Sequence, residues 1–416
     1  MRLGNFLLAQ SGGPTAVLNA SAAGAALAAL SLRGVGDVWA AREGLLGLFD
    51  DDLIDLRAEG RKSLRALSRV PGAAFGSCRR GLLDELDRER ALAELKRRDV
   101  RLFLYIGGND SMRTAADIDT LAADSGYELV VVGVPKTIDN DLLATDHCPG
   151  YGSAAKYIAT TVMEAGLDTE ALSSSDRVNV IETMGRDSGW LAAASTLGRR
   201  ERDEAPNLVL LPESAFDEER FCSAVESSLG RLGRCVVAVA EGVKRADGSY
   251  LSAQGGPFGA DHFGNVQLGG AALAVKAIVE SRLGAKTRYS MPSTAQRVAG
   301  HWASGRDLAE AAAAGRAAVR MAAGGEGGRM VTLERLSDSP YRCGTGSVAL
   351  SAVAGRTRTF PAEWLSESGM DVTEAFAAYA LPLLAGESRP RLRDGLPEYP
   401  RLKSRQSGGA PRLDAS

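Results

Sequence analysis

Pro135-Lys136-Thr137-Ile138-Asp139-Asn140-Asp141 is the stretch on which the reading of this chain turns. It follows the apolar run Leu129–Val134, which predicts a buried strand. The strand delivers two carboxylates, Asp139 and Asp141, to its C-terminal end. Strand ends in an open α/β sheet are where ligands bind. Lys136 and Thr137 add a cation and a hydroxyl to the same turn. Such a set can clamp a phosphate, take a proton from an alcohol and help to hold a metal. Taken alone, it is equally a polar turn after a core strand.

The same arrangement recurs along the chain. Phe6–Ala9 is apolar and leads into Ser11-Gly12-Gly13-Pro14-Thr15, then an Ala-rich helical stretch from Leu18. Leu102–Ile106 leads into Gly107-Gly108-Asn109-Asp110-Ser111 and a second helical stretch. Glycines between strand and helix let backbone N–H groups approach a phosphate at the helix N-terminus. A plain strand-to-helix turn explains either pair of glycines alone. Further strand-like runs are Val178–Thr183, Leu208–Leu211, Cys235–Ala240 and Met330–Leu333, with Ala/Leu-rich helical stretches between most of them. This alternation predicts an α/β fold, with parallel sheet covered by helices. Neither glycine loop reads G-x-G-x-x-G, which argues against a dinucleotide-binding dehydrogenase.

Composition bounds the rest. A chain of 416 residues has room for two or three domains with real cores. With 24% charged residues and a net charge near −3, it has no bulk attraction for nucleic acid or anionic membranes. The basic clusters at Arg79–Arg80, Arg97–Arg98 and Arg199–Arg202 are short. No run of about 18 apolar residues occurs, and Met1–Gln10 lacks a signal-peptide pattern. Cys78, Cys148, Cys222, Cys235 and Cys343 form no C-x-x-C pair, so a reducing cytoplasm is expected. Only His147, His262 and His301 are available, which disfavours a His-centred triad or a three-histidine zinc site. Gly255–Gly259 reads as a surface loop, and residues 403–416 as a disordered tail.

Read in order, Ser11-Gly12-Gly13, Gly107 to Ser111, the heptad, Met184-Gly185-Arg186, Glu241-Gly242 and Gln296-Arg297 resemble the phosphofructokinase family. The resemblance runs by motif from about residue 5 to about 300, and more loosely to about 400. It implies two Rossmann-like three-layer α/β domains with the active site in the cleft between them. Residues 1–150 would bind the donor and magnesium, completed by a segment within 300–365. Residues 151–299, with part of the C-terminal region, would bind the sugar phosphate. Members of the family are cytoplasmic, and a homodimer or homotetramer is implied.

The resemblance also assigns roles. Asp139 matches the base that takes the proton from the sugar's 1-hydroxyl, and Asp141 a supporting carboxylate. Thr137, Lys136, Asp110 and Arg186 complete the catalytic set. Gly12, Gly13, Arg79, Gly108 and Lys136 match the donor site. Thr137, Ile138, Asp139, Met184, Gly185, Arg186, Glu241, Thr294 and Gln296 match the sugar site. Arg177, Arg288 and Arg297 match cations around the 6-phosphate, some of which arrive from a neighbouring subunit in relatives. Thr294 stands where many relatives carry a ring. Asn109 replaces an aspartate that helps to hold magnesium in ATP-users; its carbonyl oxygen remains, and Asp110 or Asp139 could supply the missing charge.

Asp110 and Lys136 decide the donor. ATP-users in this family carry glycine at both places, whereas the pyrophosphate-dependent branch carries Asp and Lys, as here. An aspartate there obstructs the α-phosphate of ATP, and a lysine stabilises the phosphoryl group being moved. The resemblance therefore implies transfer from pyrophosphate to fructose 6-phosphate. Two other readings are an ATP-dependent relative with an unusual donor loop and a non-catalytic sugar-phosphate sensor. A surface Asp110–Lys136 ion pair would stabilise by only about 0–1 kcal/mol.

Overall fold

The computed structural model describes residues 3–82, 84–252 and 268–403. The expected loop at Gly255–Gly259, His262 and the tail beyond Lys403 lie outside the described residues. Eleven strands build two sheets: β1 (Gly4–Gln10), β2 (Val35–Ala41), β3 (Leu53–Asp55), β4 (Val100–Gly107), β5 (Val130–Pro135), β6 (Val178–Thr183), β7 (Leu208–Leu210), β8 (Cys235–Ala240), β9 (Thr287–Ser290), β10 (Arg329–Asp338) and β11 (Tyr341–Ala349).

The larger sheet has the order β11-β10-β5-β4-β1-β2-β3, and the smaller β7-β8-β6-β9. The smaller sheet is parallel throughout. In the larger, only the outer strands β3 and β11 run antiparallel to their neighbours. Parallel strands covered on both faces need side chains that are apolar all round. The valine-rich runs of β5 and β8 satisfy this, and β8 is buried along its whole length. One face of the larger sheet packs on Leu18–Ala29 and Gly305–Ala323, the other on Asn109–Asp124.

Register matters for the site. Gln10 of β1 lies beside Ile106 of β4, and Gly107 of β4 beside Pro135 of β5. Three strands thus end level, and the three motif loops leave the sheet side by side.

The chain leaves the larger sheet after β5, builds the smaller sheet, and returns through Gly305–Ala323 into β10, which pairs with β5. Buried Asp307 ties the two crossings together. It accepts from the Gly150 and Ser153 N–H groups at 2.9 Å and from the Ser153 hydroxyl at 2.6 Å. The segment after β11 then packs on the smaller domain, where Phe360, Trp364 and Phe376 surround buried Trp190. All five cysteines are free, and no helix among the described residues is long and apolar enough to cross a membrane.

Candidate active site

A cavity of about 400 Å³ opens where β1, β4 and β5 of the larger sheet face the ends of β6 and β8. Ser11, Gly12 and Gly13 form one wall. Gly12 has φ +78°, a conformation that side chains disfavour. A Cβ at Gly12 would sit 2.9 Å from Lys136 Nζ, and one at Gly13 2.7 Å from Arg297 Nη1. Bare backbone at both positions lets two cations from distant segments close on the loop.

Lys136 is 4% exposed and donates to Gly13 O at 2.9 Å. It is therefore no member of a surface ion pair with Asp110. Burial pushes its ammonium down to about 8, and the Arg297 and Arg79 guanidinium groups push the same way. Three cations brought together make a site suited to a polyanion. Gly108 precedes the helix Asn109–Asp124, whose first turn carries Asn109, Asp110 and Ser111 on the cavity wall. The first turn of a helix offers unpaired N–H groups to an anion.

Asp139 is held above the usual carboxylate range by burial, while Lys136, Arg186 and Arg297 pull it back. Asp141 is pushed up to about 7 by burial and by the neighbouring Asp139. Thr137 Oγ1 accepts from the Asp139 N–H at 3.1 Å, and Ile138 lines the floor. The Asn109 amide donates to Asp141 Oδ2 at 2.8 Å, which fixes its carbonyl oxygen away from that carboxylate. Asn109 Oδ1 and Asp141 Oδ1 are then buried without partners. Orphan oxygens on two hydrogen-bonded side chains suit a hard cation such as magnesium. The carboxylate beside Asn109 is thus Asp141, where the sequence reading turned to Asp110 or Asp139.

The smaller domain supplies the opposite wall. Met184 and Arg186 follow β6, and Glu241 follows β8. Burial pushes Glu241 up to about 7, with Asp139 adding to the effect. Glu241 Oε1 accepts from Gly185 N at 3.3 Å, and Gln296 Oε1 from Met184 N at 3.0 Å. Glu241 and Gln296 therefore brace the Met184–Arg186 turn. Arg186 Nε and Arg297 Nε are buried without partners.

Gly185 and Gln296 do not line the cavity, and three further expected residues lie away from it. Arg177 precedes β6, at the end of the strand away from the site, and donates to Gly233 O at 3.1 Å. Arg288, on edge strand β9, is exposed and pairs with Asp176 at 3.0 Å. Thr294 is exposed at the start of a short helix. The cavity also takes in residues that had no assigned role: Ser11, Thr15 and Ser111 of the glycine loops, with Arg113, Asp187, Ser188, Gly355 and Thr357. Arg113 lies one helical turn beyond Asp110 and was open to detection by that spacing. Gly355 and Thr357 lie in the stretch 348–361, where the resemblance is loose and assigned no role.

Comparison with known proteins gives the family. The family model described as Phosphofructokinase matches residues 5–322. A pyrophosphate–fructose 6-phosphate 1-phosphotransferase of Xanthomonas campestris pv. campestris is 45% identical, covering 97% of each chain. One from Methylococcus capsulatus is 41% identical, covering 95% of each. The crystal structure of a pyrophosphate-dependent phosphofructokinase from Nitrosospira multiformis superposes with TM-score 0.88 at 40% identity, covering 96% of each chain. Sequence and backbone agree along nearly the whole length, and the chain belongs to the phosphofructokinase family.

Proposed function

We propose that this chain moves phosphate reversibly between pyrophosphate and the 1-hydroxyl of fructose 6-phosphate, giving fructose 1,6-bisphosphate and phosphate. The observation that carries the choice of donor is the pair Asp110 and Lys136 on the wall of one cavity, with Lys136 buried against the glycine loop. The names of the most similar relatives support the same reading.

In this reading the donor lies along Gly12, Gly13, Arg79 and Gly108, and the sugar along Met184, Arg186 and Glu241. Asp139 accepts the proton of the 1-hydroxyl as that oxygen bonds to phosphorus. The bridging P–O bond breaks and phosphate leaves with its electron pair. Lys136 and Arg297 offset the charge that gathers on the leaving and transferring groups. Thr137 donates to the moving phosphoryl group. Asn109 and Asp141 would hold magnesium, which when bound offsets charge on the phosphate oxygens. Pyrophosphate is a modest donor, so the reaction runs both ways. Free cysteines throughout fit a reducing cytoplasm.

Purified protein with fructose 6-phosphate and Mg²⁺ should turn over with pyrophosphate and show little or no turnover with ATP. Equal or better turnover with ATP overturns the donor reading. Turnover with neither donor overturns the enzyme reading.

Arg177 and Arg288 lie outside this chain's own cavity, which supports a homodimer or homotetramer in which they serve a neighbouring subunit. Arg288→Ala should raise the fructose 6-phosphate KM by roughly tenfold to a hundredfold and leave the pyrophosphate KM nearly unchanged. Co-expression of the Arg288→Ala chain with an Asp139→Ala chain should restore one intact site in a mixed oligomer. No recovery on mixing would place Arg288 outside any shared site.

A further inference from the structure

Arg358 lies on the segment that follows β11, in the stretch 348–361 where the family resemblance is looser. Its guanidinium reaches the loop that carries Asp139 and Asp141. Nε and Nη2 donate to Asn140 O at 3.0 and 2.7 Å. Nη1 donates to Thr145 O and Asp146 O, both at 2.8 Å. The Arg358 backbone N–H adds a bond to Asp141 O at 2.7 Å. Behind it, the guanidinium stacks over the Trp190 ring, 4.7 Å from the centroid. Among the described residues no carboxylate comes within ion-pair distance of it; four bonds to carbonyl oxygens take that place.

The loop needs such a hold. Asn140, between the two aspartates, is fully buried with φ +54°. A left-handed residue persists only where its surroundings impose it. Its side chain accepts from Cys148 N at 2.9 Å and donates to Tyr379 Oη at 3.0 Å, and that hydroxyl donates to Asp146 O at 2.7 Å. Arg358 supplies the remaining grip on its carbonyl.

We infer that Arg358 is a positioning residue for catalysis: it fixes the turn from Asp139 to Asp146 so that both aspartates face the cavity. It does so through backbone carbonyls and touches no substrate. The inference rests on the phosphotransferase reading above. Catalytic groups must sit within about half an ångström of their working geometry, so a loosened turn lowers turnover before it weakens binding.

The test is steady-state kinetics of the parent, Arg358→Ala and Arg358→Lys, with pyrophosphate and fructose 6-phosphate. Arg358→Ala should lose roughly tenfold to a hundredfold in kcat, with both KM values within about threefold of the parent. Millimolar guanidinium should restore part of that loss, because the added cation refills the same carbonyl cage. Arg358→Lys keeps the charge but not the planar fork, so its kcat should fall between the two. If Arg358→Ala does not fold, the lysine variant and Tyr379→Phe, which removes the neighbouring tie, carry the test by the same loss of kcat at constant KM. Unchanged kcat in a folded variant overturns the inference. So does a loss shared by kcat and KM that guanidinium fails to restore. A parent inactive with pyrophosphate would overturn the phosphotransferase reading instead, which keeps the two failures distinct.

Discussion

Asp139→Ala should lower kcat by at least about 10²-fold, with a much smaller change in either KM. The carboxylate lines the cavity at the end of β5, buried, with cations on three sides. Burial makes it a stronger base than a solvated aspartate, because the ionised form has lost water. Lys136, Arg186 and Arg297 limit that shift. The balance gives a group able to take a proton and ready to do so. Asp139→Asn keeps the shape and removes the basicity, so it should be nearly as inactive as the alanine variant. Activity of either folded variant within a few-fold of the parent would remove Asp139 from the role of base. If the asparagine variant alone kept activity, the carboxylate would serve shape and not proton transfer.

Donor choice should respond to two substitutions in different ways. Asp110→Gly removes a negative side chain from the first turn of its helix and opens space, so ATP binding should appear or improve while pyrophosphate turnover falls. Lys136→Gly should cripple pyrophosphate turnover without admitting ATP, since it removes stabilisation and leaves the obstacle. The double variant should favour ATP most. The same lysine sets a pH limit. Its ammonium, pushed down to about 8, is lost as pH rises through that value. The parent should therefore lose turnover above about pH 8, and Lys136→Met should keep its residual activity across the same range. Kinetics with both donors at saturating Mg²⁺, over a pH series, read all of this. A parent whose rate is flat to pH 10 would show that the charge on Lys136 is not needed.

Strands buried on both faces were legible because apolar continuity is their condition of existence. Val178–Thr183 and Cys235–Ala240 appear in the fold with the bounds that the sequence suggests. Val35–Ala41, Thr287–Ser290 and Tyr341–Ala349 were not legible. β9 and β11 are edge strands, where one side of the ladder faces solvent and polar residues are tolerated. In the site, the heptad and the glycine loops announce themselves because each follows a legible strand. The braces do not. Gln296 acts on a backbone N–H, Arg358 on three carbonyls, and no local pattern records a contact between residues so far apart in the chain. Arg177 and Arg288 carry the residue types that a phosphate site needs, but the chain folds them away from its own cavity.

The return of the chain into β10 has a consequence for synthesis. β5 ends at Pro135, yet its outer neighbour begins only at Arg329. While a ribosome makes the intervening chain, the valine-rich edge of β5 stays open. An unpaired parallel edge of that composition invites wrong partners, and pairings so distant in sequence form slowly. The smaller sheet has no such wait: all four of its strands emerge between Val178 and Ser290. The sheet encoded second therefore completes first, and the sheet encoded first closes last. Nascent chains halted before residue 329 should bind chaperones that recognise open apolar edges, and chains released at full length should not.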